Sequence, residues 1–334
     1  MIRLLKKVLH VVVFSAAICA LPLSFAYAQS SAQDYFEQGN SLYNQKKYSE
    51  AVASYHRAIQ MQPHTQAKAY LNCARAYTQL GQYPAAVQYY SFYEKVAADA
   101  ASDRKFNAEY KAAQKKNKSG NYVRDNAQTT VLKQLEQTIK AGGPYLTQQG
   151  NGAFAYYDVL LRAGYAEPDL YELQQKLVSG MSEEIESDIT PPPSQPLPNL
   201  DRTGWEYIRN KIARLRQFSD ISPNASRLSA IESMAYAWEA YYKGDYETAQ
   251  KQFDAACSSN PAIPAAYWGR VMLTFQQGNS DMLINMISET EGVYQSANIE
   301  GTAPFFALLK AKAYQNMGDT ASSLKWLKVM NEAF

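Results

Sequence analysis

The residue types that catalysis draws on are sparse in this chain and stand apart from one another. Three His and three Cys are spread over 334 residues. His56 and His64 have no Cys or carboxylate at the spacing a zinc site needs. His56 follows an apolar helix position at Tyr55 and is expected on an exposed shoulder, while His64 falls in the turn after Pro63. Gly-x-Ser-x-Gly elbows, phosphate loops and dinucleotide fingerprints are absent from the sequence. The glycines at 142–143 and 150–152 read as helix breaks. Glu183, Glu184, Glu186 and Asp188 lack the alternating ligand order of a calcium loop and read as a solvated acidic helix end. These observations predict a protein without catalytic residues, metal or cofactor, whose work is done by binding.

The elements that would carry such binding repeat along the chain. Gly39, Tyr48, Ala51, Tyr55, Ala58 and Pro63 form one set; Ala74, Tyr77, Gly81, Tyr83, Ala86, Tyr90 and Tyr93 form a second, about 35 residues later. A third set is Gly244, Tyr246, Ala249, Phe253, Ala256 and Pro261, and a fourth is Ala311, Tyr314, Gly318 and Leu327. Ala51, Tyr55 and Ala58 fall at i, i+4 and i+7, on one helical face where small residues admit a partner helix and the ring fills the gap. Gly81, Gly244 and Gly318 stand where a first helix must end in a left-handed residue. Pro63 and Pro261 stop the second helix. Persistent alternation of the kind strands show is missing, so the fold is predicted to be all-α.

This pattern resembles the tetratricopeptide repeat family. The resemblance implies helical hairpins stacked as a solenoid, with first helices lining a concave groove that holds peptides or partner helices. In the first copy the matching groove positions are Phe36, Asn40, Tyr43 and Asn44; in the second they are Lys68, Asn72, Arg75 and Gln79. Family members that grip a terminal carboxylate use a Lys and several Asn there. Asn40 and Asn72 match two Asn positions, whereas Phe36 stands where the clamping Lys would be. The Asn pair is therefore expected to hold an extended backbone through its amides, with Phe36 and Tyr43 adding apolar area.

Residues 1–28 read as a cleaved signal peptide. Arg3, Lys6 and Lys7 precede an apolar run from Val11 to Leu23, and Ala26-Tyr27-Ala28 supplies small residues at a cleavage site. A periplasmic or secreted location, of bacterial style, follows as an expectation. Their removal leaves 30 Lys and Arg against 31 Asp and Glu, a near-neutral balance that disfavours nucleic-acid binding. Cys73 and Cys257 lie in different repeats and are expected to be unpaired thiols.

The expected organisation is repeats over 29–100, diverged hairpins over 101–189 completing a first array, a Pro-rich linker at 190–200, and a second array over 201–334. Within the diverged part, helical spacing spans Val131 to Ile139, Ala153 to Arg162 and Pro168 to Val178. The stretches Phe106 to Thr129 and Gly278 to Ile287 match the repeat poorly. Two basic segments stand out. Arg104, Lys105, Lys111, Lys115, Lys116 and Lys118 form the densest, read as a solvated face that would suit an anionic partner. The other surrounds the stripe Trp205, Ile208, Ile212 and Leu215, read as an amphipathic helix packing on the second array, with membrane contact not predicted. The functional expectation is a non-enzymatic scaffold binding one or more proteins or peptides. The alternative is a glycan binder, in which tyrosines and Trp205, Trp238, Trp268 and Trp326 stack on sugar rings.

Overall fold

The computed structural model describes residues 31–118, 120–147, 152–218, 225–258 and 262–332. The signal segment and Pro261 lie outside these residues. Fifteen α-helices and no strand occur among the described residues, so the chain is all-α and built of helical hairpins. It divides into two compact units between Tyr122 and Val123.

The first unit contains α1 (Ala32–Asn44), α2 (Tyr48–Met61), α3 (Ala67–Gln79), α4 (Tyr83–Val96) and α5 (Arg104–Lys116). Ser31 and Asp34 form a capping box that starts α1, and the Asp103 side chain accepts from Lys105 N and Phe106 N to start α5. Helices α1 and α2 pair, as do α3 and α4, with α3 against α2 and α5 against α4. Ala51, Tyr55 and Ala58 are all buried, as the i, i+4, i+7 pattern requires. Removing one such ring from water stabilises the fold by about 1.5–3 kcal/mol. Gly39 lets α1 approach: a Cβ there would lie 2.5 Å from Tyr55 Cε1, closer than any real contact. Gly81 has φ +73° with open space around it, so its glycine answers a backbone need and not a packing one. Phe106 anchors α5 by packing on Tyr90 and Tyr93 of α4 at ring distances of 6.0 and 4.9 Å.

The second unit contains α6 (Asn126–Lys140), α7 (Ala153–Arg162), α8 (Leu170–Ile189), α9 (Arg202–Leu215), α10 (Ala225–Lys243), α11 (Tyr246–Cys257), α12 (Pro264–Gln277), α13 (Ser280–Ser296), α14 (Ala303–Asn316) and α15 (Thr320–Glu332). The pairs α10 with α11, α12 with α13, and α14 with α15 are hairpins. The degraded stretch at Gly278 is thus a full hairpin, with Gly278 capping α12 at φ +72°. One buried apolar cluster runs from Leu132 on α6 to Ala313 on α14.

Two sequence expectations change here. The hairpins placed between 101 and 189 do not complete the first array: α5 packs with the first unit, while α6 to α8 share the core of the second. The Pro-rich stretch is not a spacer between units but a strap within the second. Ser194 N donates to Glu300 O at 2.9 Å, Tyr294 OH donates to Pro196 O, and Leu197 and Leu200 pack against the core. A turn closed by Gln195 N donating to Pro192 O at 3.1 Å, with Ser194 at φ +62°, leaves Ser194 N to bond the neighbouring loop.

The apolar stripe of α9 behaves as expected. Trp205, Ile208, Ile212 and Leu215 are buried, and Trp205 stacks on Trp238 at 6.1 Å. Its cations Arg209, Lys211 and Arg214, however, are met by acidic residues, and Glu184, Glu186 and Asp188 are not a solvated helix end. Lys211 Nζ bonds Glu184 at 2.5 Å and Asp188 at 2.6 Å, while Glu186 holds Arg227 at 2.8 Å. Arg209 pairs with Glu239 at 2.8 Å, Arg214 with Asp158, and Arg216, just after α9, with Glu232 at 2.6 Å. No helix among the described residues is long and apolar enough to cross a membrane.

Candidate functional site

Helices α1 and α3 run side by side because α2, between them in the chain, packs on both. That arrangement brings Asn40, Tyr43 and Asn44 of α1 together with Asn72 and Arg75 of α3. With Tyr55 of α2 they line a cavity of about 240 Å3. Its floor is a chain of hydrogen bonds. Tyr55 OH donates to Asn40 Oδ1 at 3.0 Å, and Asn72 Nδ2 donates to the same oxygen at 2.8 Å. Arg75 Nη1 donates to Asn72 Oδ1 at 3.1 Å, and Arg75 Nε donates to Glu109 Oε2 of α5 at 2.8 Å.

This network fixes what the site can offer a ligand. Burial holds the Tyr55 hydroxyl well above its ordinary pKa, so it stays a neutral donor. Asn40 Oδ1 accepts twice and is filled, leaving the Asn40 Nδ2 donor without a partner among the described residues. Glu109 neutralises Arg75, so the floor is polar yet carries no net positive charge. The Tyr43 ring meets Tyr48 edge-on at 5.2 Å. Phe36 leans on Tyr55 at a ring distance of 6.1 Å and is only partly exposed. Asn44, Lys68 and Gln79 are exposed.

Of the eight positions the resemblance implies, five meet in the cavity: Asn40, Tyr43, Asn44, Asn72 and Arg75. Phe36, Lys68 and Gln79 do not line it. Sequence reading missed Tyr55, assigned to packing alone, and Glu109, which stands within the basic cluster and was given no role. The signal for Glu109 was present: it follows Arg75 by 34 residues, one repeat length, so first helices of successive repeats place the two side by side.

His56 is not on an exposed shoulder. Its ring stacks on Tyr89 at 5.4 Å, and its Nε2 lies 2.9 Å from Tyr89 OH and 3.3 Å from Tyr77 OH. Burial lowers its pKa to about 4, so it is a neutral member of an aromatic cluster. Cys73 and Cys257 are free thiols, one in each unit. Among the described residues, no group of three or more His, Cys, Asp or Glu is placed to hold a metal ion. Trp205, Trp238 and Trp268 are buried, and Trp326 lies partly covered under Lys310 Nζ, 4.4 Å from its ring centre. Three of the four indoles are thus closed to a sugar ring.

All six cations of the α5 region are exposed, and none has an acidic partner within ion-pair distance among the described residues. Lys116 Nζ lies 5.7 Å from the centre of the Tyr83 ring.

Comparison with known families gives two matches. A tetratricopeptide repeat model matches residues 42–116, and a second matches 235–281. No curated protein sequence matches the chain. Among solved structures, the TPR2AB domain of yeast Sti1 in complex with pHSP90 is 15% identical, with 84% of this chain and 98% of that one covered at a TM-score of 0.25. A tetratricopeptide repeat protein from Parabacteroides merdae is 13% identical over 90% and 93%, at 0.28. The TPR domain of P58(IPK) is 12% identical over 90% and 92%, at 0.26.

Proposed function

The chain is a member of the tetratricopeptide repeat family, and from that premise we propose that its first unit holds an extended segment of a partner protein across α1 and α3. Repeats of this family support protein–protein interaction, and proteins built from them are generally non-catalytic scaffolds. The observation that carries the finer reading is the amide pair. Asn40 and Asn72 are bonded to each other at 2.8 Å, which fixes both side chains before a ligand arrives. Fixed donors lower the ordering cost of binding.

The neutral floor favours a peptide backbone over a terminal carboxylate. A carboxylate would gain little from Arg75, whose charge is already met by Glu109 at 2.8 Å. A peptide carbonyl can accept a hydrogen bond from the spare Asn40 Nδ2–H at no electrostatic cost. Tyr43 and Phe36 supply ring surface at the flanks of such a strand.

The test is affinity capture from cell-envelope extract with the mature chain and with the Asn40→Ala, Asn72→Ala double variant. The expected result is a protein recovered with the wild type and reduced at least about tenfold with the variant, as two lost hydrogen bonds would produce. Equal recovery with both would remove the groove from the mechanism. The envelope setting rests on residues 1–28 acting as a secretory signal. Intact-mass analysis of the chain from the expressing cell is expected to place its first residue at Gln29, and a retained Met1 would overturn that setting.

A further inference from the structure

The cations of α5 are held at an energetic disadvantage. Arg104 and Lys105 occupy the first turn of the helix, where the macrodipole disfavours positive charge, and that turn contains no acid. Lys111 and Lys115 stand at i, i+4, where like charges repel. The two nearby acids are committed elsewhere. Asp103 caps the helix through Lys105 N and Phe106 N, and Glu109 bonds Arg75. Between Ser31 and Tyr122 the chain carries twelve Lys and Arg against seven Asp and Glu; from Val123 onward it carries eighteen against twenty-four. The positive excess therefore belongs to the first unit, and half of that unit's cations lie between Arg104 and Lys118.

These cations also form a shaped surface. At 100° per residue, Arg104, Lys111 and Lys115 fall within roughly 40° of arc, on the side opposite Phe106 and Ala113. Phe106 and Ala113 are buried. From Arg104 to Lys115 the stripe is about 16 Å long, the length of about three helical turns or five extended residues. Its exposed neighbours Ala108 and Ala112 offer no large apolar group. An interfacial membrane helix needs such groups to enter the acyl boundary, and α5 spends Phe106 on its own core.

We propose that the outer face of α5 is a second docking surface, which receives an acidic segment of a partner protein aligned along Arg104, Lys111 and Lys115. Complementary carboxylates would relieve both the dipole conflict and the Lys111–Lys115 repulsion. The surface is independent of the Asn40–Asn72 groove, since none of its three residues lines that cavity.

The experiment uses the mature chain, a fluorescein-labelled peptide of alternating Glu and Ala, and anisotropy at low and physiological salt. Three proteins are compared: wild type, the Arg104→Gln, Lys111→Gln, Lys115→Gln variant, and a control with the same charge change at Lys46, Lys47 and Arg57, all exposed. Expected is about tenfold weaker peptide binding for the α5 variant and a far smaller loss for the control, with thermal melting by circular dichroism unchanged in both. Equal weakening in the two variants would reduce the effect to net charge and overturn the proposal. So would binding to vesicles of mixed neutral and anionic phospholipid that matches the peptide and is lost with the α5 variant, because the surface would then be a membrane contact. Asn40→Ala, Asn72→Ala is expected to leave peptide binding intact; a parallel loss would show a single site and likewise overturn it.

Discussion

Helices α5 and α9 are the two most basic helices among the described residues, similar in length and in charge, and they do opposite things with that charge. In α9, Arg209, Lys211 and Arg214 each meet a carboxylate of the same unit, and Lys211 is only 1% exposed between Glu184 and Asp188. In α5, five exposed cations, and Lys118 just after it, meet none among the described residues. A basic helix that packs internally recruits acids from its neighbours, here Glu184 and Asp188 of α8, Glu239 of α10 and Asp158 of α7. A basic helix that keeps its acids occupied with capping and with Arg75 presents its charge to something else. The buried ionisable groups show the same division. The second unit keeps Lys211 paired with two acids, whereas the first keeps His56 neutral between tyrosines.

The sharpest way to break this contrast is to remove a cation from each helix. Lys211→Ala strands Glu184 and Asp188 beside the apolar residues of α9, and is expected to cost about 3 kcal/mol, the lower end for a broken buried pair because both carboxylates keep some water. Urea denaturation followed by Trp fluorescence would measure it, since Trp205 and Trp238 lie in the same core. The three-residue α5 variant should move the midpoint hardly at all. A stability loss in α5 as large as that from Lys211→Ala would mean its cations serve the fold.

A smaller effect sharpens the other half of the comparison. His56 titrates near 4 in the folded unit and near 6.5 when unfolded. Below pH 6.5 the unfolded chain takes up a proton that the folded unit refuses. The stability from neutral His56 is therefore complete above about pH 6.5 and declines as pH falls toward 4, by roughly 1–2 kcal/mol once partial solvent access is allowed for. His56→Gln should flatten that part of the stability profile relative to wild type. An unchanged slope would show that His56 is free to protonate in place.

The hairpins were legible because their causes are local. Small residues and rings at i, i+4 and i+7, together with glycine at a left-handed helix end, act within a few turns of chain, and Ala51, Tyr55, Ala58, Gly81, Gly244 and Gly318 behave as their spacing requires. The groove was partly legible for a similar reason, since a repeat period of about 34 residues brings Asn40 toward Asn72 and Arg75 toward Glu109. Boundaries were less legible. A proline run signals only the absence of helix, and whether it spans a gap or straps a core depends on partners such as Glu300 and Tyr294, about a hundred residues away.

By itself, then, the sequence determined that this is an all-α chain of helical hairpins, with small-residue faces, glycine stops and paired asparagines on first helices. Only the tertiary structure decided which charges are spent and which are free. Composition counts Lys211 and Lys111 alike; it is the approach of α8 to α9, and the commitment of Asp103 and Glu109 to the helix cap and to Arg75, that pairs one and leaves the other exposed. The physical reason is range: helix periodicity is written in neighbouring residues, whereas ion pairing and burial depend on contacts that chain folding alone creates.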